Sequence, residues 1–207
     1  MIEQRTTEWL QERCGKVTAS RIADVMAKTK SGYGQARINY MADIIAERLT
    51  NEPKPSFMTS AMQWGVDTEP QARAMYELQT GKDVVEVGFI KHPEIEWTGA
   101  SPDGLIDDDG LIEIKCPNTA THISTLLECK IDKKYLLQMH WQMICTQRQW
   151  CDFVSFDPRL PPQMQLHVQR VTLDDELAKE VENEIKEFLS QVDEKIEALC
   201  AKYVEKI

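Results

Sequence analysis

The chain has 207 residues, 42% hydrophobic and 28% charged, with a formal net charge of −10, a length suited to a single domain (1–207) with a sizeable core. No apolar stretch approaches the roughly 18 residues of a membrane span, and Met1-Ile2-Glu3-Gln4-Arg5 lacks the basic start and apolar run of a secretory signal, so a soluble cytoplasmic protein is expected. Six cysteines without a C-x-x-C pair argue against a disulfide framework, a structural zinc or an iron–sulfur cluster, and leave most of them as small buried apolar residues.

The acidic balance is unusual for a protein that binds nucleic acid, because phosphate affinity comes from Lys and Arg. Its distribution is uneven. From Leu173 onward eleven acids face five bases, whereas Arg13, Lys16, Arg21, Lys28, Lys30 and Arg37 face only Asp24 within residues 13–37. Such a basic patch can steer DNA to one surface, with a solvated helix face as the plainer account.

In chain order, residues 9–26 read as helical, with Thr18-Ala19-Ser20 marking a break or a new start that Thr18 or Ser20 can cap. A helix amino terminus presents free N–H groups and so suits a phosphate. Ser31-Gly32-Tyr33-Gly34 reads as a loop, and residues 36–49 as an amphipathic helix whose Ile38, Met41, Ile44, Ile45 and Leu49 face the core. Asn51-Glu52-Pro53-Lys54-Pro55 stops it. Pro70 disfavours the helical conformation at Glu69, so a helix capped by Asp67 or Thr68 is expected to start or kink there and run toward Gly81.

Strands are expected over 84–90, 94–99, 104–107 and 111–115. Residues 135–145 read as a helix with Tyr135, Gln138 and Gln142 on one face, an exposed stripe or a functional one. His122 and His140 read as structural. Strands over 153–156 and 166–171 flank a proline-rich turn. In the long helix that follows, Val181, Ile185, Phe188, Val192, Ile196, Leu199 and Tyr203 recur every three or four residues, for packing against the core or against another helix.

The segment Ser101-Pro102-Asp103-Gly104, followed by Glu113-Ile114-Lys115, carries the chemistry. Between the two halves, Asp107-Asp108-Asp109-Gly110 ends in an Asp-Gly pair that signals a tight hairpin. Folding about it sets Asp103 opposite Glu113 and Ile114, so two carboxylates can share one cation. The strand period of two puts Glu113 and Lys115 on one face and Ile112 and Ile114 on the other. Asp103, Glu113 and the Ile114 carbonyl are hard oxygen donors suited to magnesium, with a second ion sharing Asp103 and manganese as a substitute. Lys115 can orient or help deprotonate the attacking water. For Glu113-Ile114-Lys115 alone, a solvated strand edge is the plainer account.

The full string matches the PD-(D/E)-x-K nuclease signature. Together with Arg13-Cys14-Gly15-Lys16-Val17-Thr18-Ala19-Ser20, Trp64-Gly65, Glu69 with Ala72 and Arg73, Cys116-Pro117, Tyr135 with Gln138, and Phe156-Asp157-Pro158-Arg159, the chain resembles the bacteriophage lambda exonuclease family and its YqaJ-type viral recombinase relatives. The resemblance implies an α/β restriction-endonuclease-like core, a central mixed sheet flanked by helices. It implies further active-site roles for Glu69 and Gln138, a terminal 5′-phosphate held by Arg13 and Ser20, and DNA held nearby by Lys30, which stands where the lambda enzyme has an arginine. It implies a 5′ to 3′ exonuclease acting on double-stranded DNA ends, working as a ring-shaped homotrimer with a single-strand annealing protein. A structure-specific endonuclease, a non-catalytic DNA-binding recombination module and an assembly protein remain as alternatives.

Overall fold

The computed structural model describes residues 2–30, 32–55 and 57–204. Its helices are α1 Thr7–Arg13, α2 Ile22–Val25, α3 Gln35–Thr50, α4 Ser60–Thr80, α5 Thr119–Glu128, α6 Lys133–Thr146 and α7 Asp175–Tyr203. Its strands are β1 Val17–Thr18, β2 Lys28–Thr29, β3 Gly32–Tyr33, β4 Ile90–Lys91, β5 Thr98–Ala100, β6 Gly104–Ile106, β7 Gly110–Lys115, β8 Trp150–Phe156 and β9 Leu166–Thr172. The architecture is mixed α/β with a long carboxy-terminal helix, as expected. No helix among the described residues is long and apolar enough to cross a membrane.

A four-stranded sheet runs in the order β6-β7-β8-β9, with β7 parallel to β8 and antiparallel pairs on either side. The parallel pair needs a crossover, which α5 and α6 supply, and such strands are covered on both faces. Alternation along β7 shows the consequence. Ile112 and Ile114 pack with Ala72 and Tyr76 of α4, while Leu111 packs on Met139 and Met143 of α6. Glu113 and Lys115 therefore point to the α6 side, as the strand period requires. A second core joins Ile22, Val25, Tyr40, Ile44, Trp141, Val181, Ile185 and Phe188, so α7 packs within its own chain. Its last two expected contacts fail: Leu199 and Tyr203 are exposed.

Helix α4 is pinned at two points. Tyr76 donates to Asp152 Oδ2 (2.8 Å), and Arg170 holds the same carboxylate with two hydrogen bonds of 2.8 and 2.9 Å. Nearer its start, the Arg159 guanidinium stacks 4.4 Å over Trp64 while it grips Asp157. Burial opposes the Asp157 charge, but hydrogen bonds from Arg159 and Thr119 outweigh it and bring the carboxyl down to about 2. Glu69 lies between these two anchors.

Several expectations are corrected. The break expected at Thr18-Ala19-Ser20 is present, with a new helical turn starting at Ala19, but it is wider than expected: α1 ends at Arg13 and the chain is extended at Val17–Thr18, where it pairs with β5. Gly32 and Tyr33 form a short ribbon with β2 rather than a loop; Ser31, like Met1, lies outside the described residues. On α3, Ile38 and Leu49 are exposed, and Tyr40 and Arg37 take interior places. Pro70 starts nothing. Thr59 caps a helix that begins ten residues earlier and carries the proline in its interior, at the cost of one backbone hydrogen bond and of crowding between the ring and the carbonyl four residues back. The expected strands over 84–90 and 94–99 shrink to β4 and β5, with an isolated bridge between Val85 and Leu105. Helix α5, capped by Asn118, was not expected. All six cysteines are free, but only Cys14, Cys145 and Cys151 are buried.

The hairpin differs in detail. Ile106 pairs with Gly110, so the loop is Asp107, Asp108 and Asp109, with Asp107 at φ 49°. Gly110 belongs to the strand, where a Cβ would overlap the Trp150 indole. Glycine stands there for close approach, not for a turn.

Candidate active site

The β6–β7 hairpin places Asp103 just before β6, and its Oδ2 accepts the Ile114 N–H at 2.7 Å. That single bond locks the first half of the motif onto the second. Glu113 is 1% exposed, and both its oxygens are engaged. Gln138 Nε2 donates to Oε1 (2.7 Å) and Gln142 Nε2 to Oε2 (2.6 Å), the two amides standing one turn apart on α6. Lys115 pairs with Glu113 Oε1 and lies 4.8 Å from the Tyr135 ring centroid. The polar face of α6 is therefore turned onto Glu113 and is not an exposed stripe.

Glu69 approaches from α4. Arg73 Nη2 donates to its Oε1 at 2.9 Å, and Arg5 pairs with its Oε2.

The electrostatics follow from crowding. Burial, then the nearby Glu113 and Glu69 carboxylates, raise the Asp103 carboxyl well above its usual range against the pull of Lys115 and the Ile114 N–H. Burial opposes the Lys115 charge, but Glu113 and Asp103 outweigh it and hold the ammonium above the ordinary lysine range.

A divalent cation suits this donor set, because it would relieve the repulsion that raises Asp103. Among the described residues no three His, Cys, Asp or Glu side chains converge to hold a metal by themselves. The Ile114 carbonyl, water and a substrate phosphate would have to complete the shell, the arrangement magnesium favours.

Arg13 lies beside the cluster. Its Nη1 donates to Ser101 Oγ (3.2 Å), which also accepts from Trp9 Nε1 (3.0 Å), and its guanidinium sits 4.0 Å over the Trp9 ring. Burial lowers its pKa to about 10, which leaves it charged at neutral pH. Ser101 is two residues from Asp103, so the arginine is tied to the metal motif. Ser20 is exposed in a 3-10 turn, Ala19–Arg21, and Lys30 is exposed between β2 and β3. Among the described residues no hydrogen bond or ion pair joins either to the Asp103 cluster. Thr18, at the start of this turn, makes no side-chain cap, and its own N–H donates to Tyr40 Oη at 3.1 Å.

The basic patch is smaller than the sequence suggests. Arg21 pairs with Asp24, and Lys28 with Glu184 of the acidic α7. Arg37 is 1% exposed, donates to Val25 O at 2.6 Å and lies against the Tyr33 and Phe188 rings. Arg13, Lys16 and Lys30 remain. His122, bonded to Ser155 and Met164 O, and His140, bonded to Leu136 O, are structural as expected.

One residue escaped the sequence reading altogether, whereas Gln142 is signalled by its four-residue spacing from Gln138 on a face already read as exposed or functional. Arg5 is signalled by nothing local, since its partner is 64 positions away.

A family model described as a YqaJ-like viral recombinase domain matches residues 8–149. No curated protein matches the chain. Two crystal structures of LHK-Exo, an alkaline exonuclease from Laribacter hongkongensis, one in complex with dAMP, share 51% identity with TM-score 0.91, over 98% of this chain and 100% of theirs. A phage-related exonuclease from Haemophilus somnus shares the fold at 15% identity and TM-score 0.73, over 89% of this chain and 96% of that one. With its metal-motif hairpin, its α4 and α6 walls and these matches, the chain belongs to the YqaJ-like viral recombinase family and has the fold of its alkaline exonucleases.

Proposed function

We propose that the chain is a magnesium-dependent exonuclease that degrades one strand of linear duplex DNA from 5′ to 3′, releasing mononucleotides and leaving a 3′ single strand for annealing. The observation that carries this reading is the Asp103 carboxylate fixed on the Ile114 N–H beside Glu113 and Lys115. The similar LHK-Exo binds dAMP, a mononucleotide of the kind such a reaction releases.

Asp103, Glu113 and the Ile114 carbonyl would hold the ion, with a second sharing Asp103 and manganese able to substitute. Bound there, magnesium supplies an acidified water and neutralises charge on the phosphate. The chain's own groups do the rest. Gln138 and Gln142 fix the Glu113 rotamer by holding one oxygen each, so its geometry is set before substrate arrives. Lys115 remains an ammonium and donates to the water or to a phosphate oxygen. Glu69 adds a third carboxylate on the opposite wall. Arg13, with Ser20, receives the terminal 5′-phosphate, and Lys30 holds the duplex farther out. A ring of three copies around the duplex accounts for how an acidic chain stays on DNA, and a single-strand annealing protein is the partner that would coat the product strand.

The test is a digestion in magnesium of linear duplexes bearing a 5′-phosphate or a 5′-hydroxyl, alongside closed circles. Mononucleotides released from the 5′-phosphorylated strand first, with circles intact, are expected. Arg13→Ala should lower the rate on phosphorylated ends by about tenfold, the loss of a charge-assisted contact, with little change on hydroxyl ends. Nicked or linearised circles would point instead to an endonuclease.

A further inference from the structure

The amino-terminal segment is built into the active site. Gln4 Nε2 donates both to Val87 O and to Pro102 O, each at 2.8 Å, the second being the carbonyl of the residue before Asp103. Ile2 lies so close over Gly88 that any Cβ there would overlap the Ile2 carbonyl. Arg5 has a left-handed backbone, φ 70°, which a residue other than glycine keeps only where its surroundings hold it. These contacts turn the Arg5 guanidinium onto Glu69. Arg5, Arg73, Glu69 and Asp103 then line one cavity of about 300 Å³.

Arg5 is more than Glu69 needs as a counter-ion. Arg73 already donates to Glu69 and also pairs with Glu86 at 2.7 Å. The Arg73 side chain is 13% exposed with both terminal nitrogens engaged by Glu69 and Glu86, whereas that of Arg5 is 46% exposed with one contact to Glu69. A guanidinium carries five N–H donors in a planar fork. With one edge on Glu69, Arg5 keeps outward donors beside Asp103, where an anionic phosphate suits them.

We propose that Arg5 is a substrate-contacting residue: held by the Gln4 strap, it binds a backbone phosphate of the DNA strand at the active site while its other edge fixes Glu69. This rests on the nuclease reading above and adds a phosphate contact beside Glu69, separate from Arg13.

The experiment measures equilibrium binding of a 5′-phosphorylated duplex, made resistant to cleavage by phosphorothioate linkages, in magnesium over a range of salt, together with kcat and KM on ordinary DNA. Arg5→Ala should weaken binding about tenfold and lower the slope of log affinity against log salt by about 0.9, the signature of one lost phosphate contact. Arg5→Lys should restore the slope but only part of the affinity, because an ammonium cannot span Glu69 and phosphate together. Gln4→Ala, which keeps every charge, should weaken binding with the slope lowered in part. An unchanged slope in Arg5→Ala, even with a fall in kcat, overturns the proposal and leaves Arg5 a support for Glu69. If the unaltered protein cleaves nothing, the nuclease reading fails while the binding slopes still decide the role of Arg5.

Discussion

Asp103→Asn is expected to lower DNA cleavage in magnesium by at least about a thousandfold while the thermal midpoint stays level or rises. The two effects share one cause. Burial first, and then the like charges of Glu113 and Glu69, raise the Asp103 pKa, so its ionised form disfavours the folded state at neutral pH. Asparagine keeps an oxygen for the Ile114 N–H, so the hairpin stays locked, but it removes the charge that would bind the cation. Lys115→Ala should behave differently, with a loss of about 100- to 1,000-fold in kcat, as when a charge-stabilising donor is removed. It leaves Glu113 with Gln138 and Gln142 but without its ammonium, so binding of DNA should survive better than turnover. Melting curves and steady-state kinetics on the same preparations check both. A midpoint of Asp103→Asn lowered enough to leave the variant unfolded at the assay temperature would mean that the residue holds the fold and not the chemistry.

Gly110→Ala should be the most damaging small substitution in the sheet, at about 2–3 kcal/mol of stability. The added methyl would occupy the space of the Trp150 indole, which is itself clamped by Arg170 at 3.5 Å and approached by Lys82 at 5.7 Å. The ring cannot swing away without breaking the Arg170 stacking. β7 must shift instead, and with it Glu113 and Lys115. Urea unfolding should show the loss, and Trp150→Leu in the same chain should recover part of it, a coupling expected only of residues in contact. Additive losses would contradict the packing account.

The parts of the fold legible in the sequence are those governed by local periodicity. Alternation in Leu111-Ile112-Glu113-Ile114-Lys115 places Glu113 and Lys115 on one face, and the apolar spacing of α7 marks its buried stripe as far as Val192. The pairing of Asp103 with the Glu113–Ile114 region also followed, although Gly110 serves packing and not the turn. What local pattern could not show depends on partners distant in sequence. Pro70 sits inside α4, a helix anchored at Tyr76 by Asp152 of β8 and at Trp64 by Arg159 in the turn that follows β8. Arg37 counts as surface charge until Tyr33 and Phe188 enclose it, and Lys28 counts as free until Glu184 meets it. Arg5 reaches Glu69 only through the Gln4 strap and an unusual backbone angle.

The most direct test is a calorimetric titration of magnesium into the unaltered protein and into Asp103→Asn. Because a proton on the raised Asp103 carboxyl competes with the metal, binding should tighten as the pH rises. It should be lost in the asparagine variant. Equal magnesium binding by the two proteins would contradict the account and place the metal, and the chemistry that depends on it, somewhere other than the Asp103–Glu113 hairpin.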